Sequence, residues 1–288
     1  MIKPDRKKGV IVGIAGAAGD GLDKTGDTLA RTASRLGLYV YAYNSYQSLI
    51  RGGHTWLRIR LAEDKVASHG DNLHALIVLN QDSMERHAPE VDPGGIILYD
   101  SDKIRCDPAL LRPGATGFGL PVRELLKPFG RVKPVMQNSV MLGAMLHWLK
   151  LDFAMTERVL ADTFAHKEQE VVDQNVGIAR AGYDYARENG LQPIDFSWHF
   201  SGLRRPFMTG NEAIAMGAAA GGLKFYAAYP MTPASSILHW LVAHGEKLGV
   251  MVKQSEDELA VINMSIGAGL AGVRAMCGTS GGGFALMT

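Results

Sequence analysis

The run Phe225-Tyr-Ala-Ala228 passes directly into Tyr229-Pro-Met-Thr-Pro-Ala-Ser-Ser236, and this passage constrains the chain more than any other. A short apolar run ends, two prolines fix the backbone, and an amphipathic stretch begins. That order predicts a strand, a turn and a helix. A second passage follows, from the candidate strand 250–254 into Ser255-Glu-Asp-Glu258 at the head of another helical stretch. In a parallel α/β sheet such turns collect at the carboxyl edge, where ligands bind. A hydroxyl at Thr232 and a carboxylate at Glu256 on that edge predict a site for a polar substrate and a cofactor.

The rest of the chain repeats the alternation. Apolar runs at 9–15, 38–43, 55–61, 75–79 and 95–99 read as strands, and 25–36, 135–149, 156–166 and 171–188 as helices. Along Thr55–Leu61, Thr55, Leu57, Ile59 and Leu61 face one way, and Trp56, Arg58 and Arg60 the other. This pattern predicts an α/β domain over 1–189 with a largely parallel, covered sheet. Residues 190–209 lack periodicity and carry Pro193, Pro206 and Arg204-Arg205, so they are expected to be a linker. A second α/β unit is expected over 210–288, with helices 211–220, 234–248 and 256–271 and strands 223–228, 250–254 and 273–278. The chain is expected to end in a glycine loop. So few strands are short of a doubly wound domain, and the chain is expected to be part of a longer polypeptide.

Composition excludes several classes. With 30 basic and 29 acidic residues the net charge is +1, which argues against nucleic acid and membrane surfaces. No apolar stretch is long enough for a transmembrane helix. The two cysteines, Cys106 and Cys277, form no Cys-x-x-Cys. That usage fits a reducing cytoplasm and leaves no four-cysteine cluster on this chain. The nine histidines show no ligand spacing, so no metal is assigned.

Tyr229-Pro-Met-Thr-Pro-Ala-Ser-Ser236 resembles the Tyr-Pro-Ile-Thr-Pro-Ser-Ser signature of 2-oxoacid:ferredoxin oxidoreductases. Gly210-Asn-Glu-Ala213, Glu256-Asp-Glu-Leu259, the helix with Gly267, Gly269 and Gly272, and Thr279–Met287 continue the likeness in register. Residues 1–189 resemble the γ module of that family. The γ-before-α order is most similar to the α subunit of 2-oxoglutarate:ferredoxin oxidoreductase. The resemblance implies a γ-type α/β domain followed by the start of a doubly wound, thiamine-diphosphate-binding domain of the pyrimidine type. It implies oxidative decarboxylation of a 2-oxoacid with coenzyme A to acyl-CoA and CO2, and reduction of ferredoxin. The expected 2-oxoacid is 2-oxoglutarate, with pyruvate or a branched-chain acid as alternatives. The thiamine diphosphate would be shared with a β subunit that carries magnesium and a [4Fe–4S] cluster, in an (αβ)2 assembly. The rival from another class is a non-catalytic regulatory protein binding coenzyme A or a nucleotide.

On this resemblance Thr232 and Glu256 are the catalytic candidates. Thr232, with Tyr229, Pro230 and Ser280, would bind the 2-oxoacid. The plainer reading of Thr232 is a helix N-cap before proline. Glu256, with Gly281, would bind thiamine diphosphate, its carboxylate on the aminopyrimidine ring nitrogen. Its plainer reading is a first-turn glutamate favoured by the helix dipole and capped by Ser255, with Glu258 and then Asp257 as competitors. The turn Gly16-Ala-Ala-Gly-Asp-Gly21 has neither dinucleotide nor P-loop spacing, and Asp20 and Asp23 oppose phosphate. Gly16, Gly19 and Gly21, with Arg51 of Arg51-Gly-Gly-His54, are candidates for coenzyme A contact, against a plain strand-to-helix turn.

Overall fold

The structure is a computed structural model that describes residues 9–45, 52–165 and 167–288. It divides into two compact units, Met1–Phe207 and Met208–Thr288.

The first unit begins with β1 (Val10–Ala18), α1 (Leu22–Arg35), β2 (Tyr39–Asn44), β3 (Gly52–Ala62), β4 (Leu73–Val78), α2 (Gln81–His87) and β5 (Val91–Asp100). It continues with β6 (Thr116–Leu120), α3 (Val122–Leu126), α4 (Asn138–Leu149), α5 (Phe153–Thr163) and α6 (Gln169–Glu188). The strands form a six-stranded sheet in the order β2-β3-β1-β4-β5-β6. Only β3 is reversed: it pairs antiparallel with β1 and β2, and the other pairings are parallel.

Both faces are covered. Val10, Val12 and Ile14 point into the larger core with α1, α4 and α6, while Ile11 and Ala15 point into a smaller core with Met84 of α2. The alternation expected in β3 holds, with Leu57, Ile59 and Leu61 in the larger core and Trp56 against the smaller one. α4 is almost wholly buried, because it and α6 meet backbone to backbone. A Cβ on Gly143 would collide with Ala179 O, and one on Gly182 with Val140 O.

The stretch 190–207, expected as part of a linker, is instead a strap packed on this unit. Ile194 and Phe196 are buried. Trp198 Nε1 donates to Leu149 O at 2.6 Å, and Ser201 Oγ to Gly37 O at 2.9 Å. The Arg205 guanidinium lies 3.6 Å over the Tyr39 ring. Single apolar anchors hold an irregular segment without any periodic signal, which is why the sequence reads as a linker.

The second unit contains α7 (Gly210–Ala220), β7 (Phe225–Ala228), α8 (Ser235–Leu248), β8 (Met251–Gln254), α9 (Glu258–Leu270), β9 (Ala275–Gly278) and α10 (Gly282–Met287). Its three strands are parallel, in the order β8-β7-β9. Residues of α7 and α8 build its core on Tyr226 and Ala228 of β7. The expected glycine loop at the end is in part the short helix α10. Large apolar side chains remain outside the core: Leu270 is 85% exposed, Phe284 70% and Met251 68%. Among the described residues no helix is long and apolar enough to cross a membrane.

Candidate functional site

β7 leads through α8 to β8 on one side of it, and β8 through α9 to β9 on the other. The order therefore reverses at β7, and the carboxyl edge beside a reversal is the place where an α/β sheet opens a crevice. The turns after Ala228, Gln254 and Gly278 all emerge there, and they hold the residues that the sequence singled out.

The Tyr229–Ala234 turn is braced from both sides. Asn211 Nδ2 donates to Pro233 O at 2.8 Å and to Ser236 Oγ at 2.6 Å. Asn211 sits at the start of α7, where Thr209 and Glu212 form a reciprocal capping box. From the other side Ser280 Oγ donates to Thr232 O at 2.7 Å. The Thr232–Pro233 peptide is cis. Thr232 is exposed, and it is not the helix cap: α8 is capped at Ala234, with no side-chain bond. No described residue hydrogen-bonds the Thr232 hydroxyl. Tyr229 and Pro230 are likewise exposed.

The second turn separates two glutamates. Ser255 is buried, and its N–H donates to Ala228 O at 3.0 Å, tying the turn to β7. Asp257, not Ser255, caps α9, accepting from Ala260 N at 2.7 Å. The helix therefore starts at Glu258, two residues later than expected. Glu256 is exposed, and no described residue pairs with it. Glu258 is buried, accepts from Thr279 Oγ1 at 3.4 Å, and lies where a Cβ on Gly283 would have to go. One glutamate faces out at the sheet edge and the other locks the third turn.

That third turn, Thr279–Gly281, has Gly281 at φ 54°, a conformation that favours glycine. Beneath it the hydroxyl of Tyr226 is fully buried and unbonded, and a Cβ on Gly278 would strike it. Burial, and then Cys277 nearby, push the Tyr226 hydroxyl up to about 12, so it stays a neutral donor. Asn211 and Tyr226 were missed in the sequence. Asn211 lies inside the quoted Gly210–Ala213 motif, but its bracing bond spans two elements and leaves no local mark. Tyr226 reads as one more apolar strand residue.

In the first unit the glycine turn closes on itself. Gly16 lies inside β1, while Gly19 and Gly21 have φ of 96° and 88°. The Ala17 N–H already donates to Asp20 Oδ2 at 2.7 Å. Asn138 Nδ2 donates to Asp20 O at 2.6 Å. Arg51 lies outside the described residues. His54, which pairs with Ala17 across β3 and β1, contacts His87.

Comparison with known proteins places both units. Residues 11–185 match the family model described as Pyruvate ferredoxin/flavodoxin oxidoreductase. Residues 216–288 match the one described as Pyruvate flavodoxin/ferredoxin oxidoreductase, thiamine diP-bdg. The chain is 31% identical to 2-oxoacid:ferredoxin oxidoreductase 2, subunit alpha, of Aeropyrum pernix, over 95% of this chain and 51% of that protein. It is similar to the solved 2-oxoglutarate:ferredoxin oxidoreductase of Magnetococcus marinus with 2-oxoglutarate, coenzyme A and succinyl-CoA bound. That likeness has a TM-score of 0.84 and 29% identity, over 96% of this chain and 48% of that one. Over 62% of its length the chain shares the fold of a keto/oxoacid ferredoxin oxidoreductase gamma subunit from Geobacter sulfurreducens, with a TM-score of 0.50, 21% identity and 99% of that chain covered. The chain spans about half the length of the curated relatives it matches. It belongs to the pyruvate ferredoxin/flavodoxin oxidoreductase family, the 2-oxoacid:ferredoxin oxidoreductases, with a γ-type α/β domain ahead of the start of a thiamine-diphosphate-binding domain.

Proposed function

We propose that this chain recognises the 2-oxoacid and activates thiamine diphosphate in a 2-oxoacid:ferredoxin oxidoreductase, and that 2-oxoglutarate is its substrate. The observation that carries the reading is the set of turns after β7, β8 and β9. They meet at one sheet edge and leave two polar groups without partners, the Thr232 hydroxyl and the Glu256 carboxylate. A donor and a carboxylate of this kind fit a 2-oxoacid and a protonated pyrimidine nitrogen.

In this reading Thr232 Oγ donates to the carboxylate of the 2-oxoacid. Its turn is fixed by the bonds of Asn211 and Ser280, so little freedom is lost on binding. Glu256 accepts the hydrogen bond of the aminopyrimidine ring nitrogen and holds a proton there. Glu258 and Thr279 keep the Ser280–Gly281 turn in place, and Gly281 lets backbone approach the ligand. Tyr229 and Pro230 form one wall of the site. Bound thiamine diphosphate supplies the carbon nucleophile and the electron sink for decarboxylation. Its diphosphate, magnesium and the [4Fe–4S] cluster belong to a β subunit in an (αβ)2 assembly, with ferredoxin as electron acceptor. The exposed apolar residues of the second unit suit such a partner.

Coenzyme A takes the acyl group. Gly16, Gly19, Gly21 and Arg51 stay proposed for its contact, although the Ala17 N–H beside this turn is already taken by Asp20. The substrate is the finer part of the reading. The Magnetococcus marinus likeness supports 2-oxoglutarate, while pyruvate or a branched-chain 2-oxoacid would use the same site. The deciding experiment is viologen-dye reduction, dependent on 2-oxoacid and coenzyme A, by the α chain co-expressed with its β subunit. Activity with 2-oxoglutarate and none with pyruvate supports both parts. Activity with another 2-oxoacid alone keeps the reaction and changes the substrate. No activity with any 2-oxoacid, in a complex containing thiamine diphosphate and cluster, moves the reading to a regulatory binding protein.

A further inference from the structure

In the first unit, two histidines meet at the carboxyl edge of the sheet. His54 Nε2 and His87 Nε2 are 2.7 Å apart, with ring centroids at 4.8 Å and planes at 26°. Both rings are mostly buried, His54 at the start of β3 and His87 at the end of α2. We propose that they form a hydrogen-bonded pair with opposite tautomers, and that this pair is an acid-opened clasp holding α2 to β3 beside the glycine turn.

The tautomers follow from the contacts. Two ring nitrogens this close need one hydrogen between them, since two lone pairs or two N–H groups repel. His87 Nδ1 is 3.1 Å from Glu90 Oε2. A neutral ring that carries its hydrogen there presents a bare Nε2 as acceptor. His54 must then donate from Nε2 and keep a bare Nδ1. The geometry agrees: His54 Nδ1 is buried with no hydrogen-bond partner, and Asp82 Oδ2 stands off at 3.5 Å.

The charged groups around the pair are balanced. Asp82 is held by Arg86 on α2 at 2.8 Å, and Glu90, just beyond α2, by Arg58 of β3 at 2.8 Å. Burial, and then His87, lower the pKa of His54, with Arg86 acting the same way and Asp82 and Glu90 opposing. A proton on His54 Nδ1, facing Asp82, leaves the Nε2–Nε2 bond intact. One on His87 Nε2 takes the accepting lone pair. Two N–H groups then face each other, and the bond is lost.

The clasp bears on the glycine turn from two sides. His54 is the register partner of Ala17, whose N–H holds Asp20. Asn80, which caps α2, has its Nδ2 3.4 Å from Asp20 Oδ2. Release of α2 from β3 therefore loosens both supports of the turn.

The test is nitrogen NMR of the 15N-histidine-labelled full chain between about pH 8 and pH 5, a range that spans ordinary histidine titration. Spectra of His54→Gln and His87→Gln assign the rings. At about pH 8 the expected result is a bare Nε2 on His87 and a bare Nδ1 on His54. On acidification, amides of α2 should lose about tenfold or more of their hydrogen-exchange protection, corrected for intrinsic rates, where His87 Nε2 gains a proton and not where His54 Nδ1 alone does. In His87→Gln, whose side-chain oxygen still accepts but does not titrate, that loss should disappear. The same tautomer in both rings overturns the proposal, as does α2 protection that is flat with pH. Zinc that survives a chelator wash and leaves with His87→Gln also overturns it. The tautomer measurement needs only the unaltered chain, so a variant that fails to fold does not protect the idea.

Discussion

In the first unit several described polar groups at the carboxyl edge of the sheet are paired with one another. Asp20 takes the Ala17 amide, Asn138 takes the Asp20 carbonyl, and His54 and His87 face each other. In the second unit the corresponding edge is braced from behind, by Asn211, Ser280 and Glu258, while Thr232 and Glu256 face out without partners. The cores differ in the same direction. The first sheet is covered on both faces, and the second has its main core on one side and leaves Leu270, Phe284 and Met251 largely exposed. A glycine-rich turn after a strand is thus no measure of function by itself. What separates the two is whether the turn's donors and acceptors are already used, since a group that is already paired must lose that partner before it binds anything else.

The largest effect should come from the completeness of the first core. Gly182→Val drives a side chain into Val140 O and should cost about 3 kcal/mol in urea unfolding; a cost below about 1 kcal/mol would show that α4 and α6 are less closely packed than described. Next is the division of labour between the glutamates. Glu256→Gln, in its proposed role, should lower dye reduction by the αβ complex about a hundredfold and leave unfolding unchanged. Glu258→Gln should instead destabilise the second unit by about 1–2 kcal/mol, and an exchange of these outcomes would exchange the two roles. Thr232→Ala should raise the KM for the 2-oxoacid about tenfold, the worth of one hydrogen bond to a carboxylate, with thiamine diphosphate binding unaltered. Unchanged kinetics would remove Thr232 from the site.

A smaller effect is expected at the far end of the first sheet. His74 Nδ1 accepts from Ile11 N at 3.0 Å, and burial lowers its pKa. The folded state therefore resists the proton that the unfolded chain takes up, so stability is present above the ordinary histidine pKa and is lost as pH falls below it. The urea midpoint should drop between about pH 7 and pH 5, and less so in His74→Gln. The smallest effect should be Leu270→Ser, within about 0.5 kcal/mol for the chain alone. A larger loss would mean that the outer face of the second unit carries a core of its own.

Much of this was readable without coordinates. The alternation of apolar runs and amphipathic stretches places most strands and helices, because burial on one face or both imposes a period on the chain. The Thr232 turn and Glu256 were singled out from residue type and position, and Glu258 as a competitor on the family resemblance. Several elements were not readable, and three of them show why. β6 is Thr116-Gly-Phe-Gly-Leu120, and its glycines fit because Tyr99, Ser101 and Cys106 fill the space where side chains would stand. α2 is only seven residues, and its capping bond, donated by Ser83 N to the Asn80 side chain, is too short a pattern to stand out. The strap 190–207 is held by scattered anchors with no period at all.

The sequence by itself determined the α/β class, most of the strands and helices, and the residue types at the second sheet edge. These follow from local periodicity and turn chemistry, which depend on neighbours in the chain. Only the tertiary structure decided which glutamate faces outward, which residue braces the proline turn, and that the first glycine turn is already filled by its own aspartate. Each of those outcomes depends on a contact between separate turns or elements, or on the exact residue at which a helix begins, and neither leaves a periodic trace in the chain.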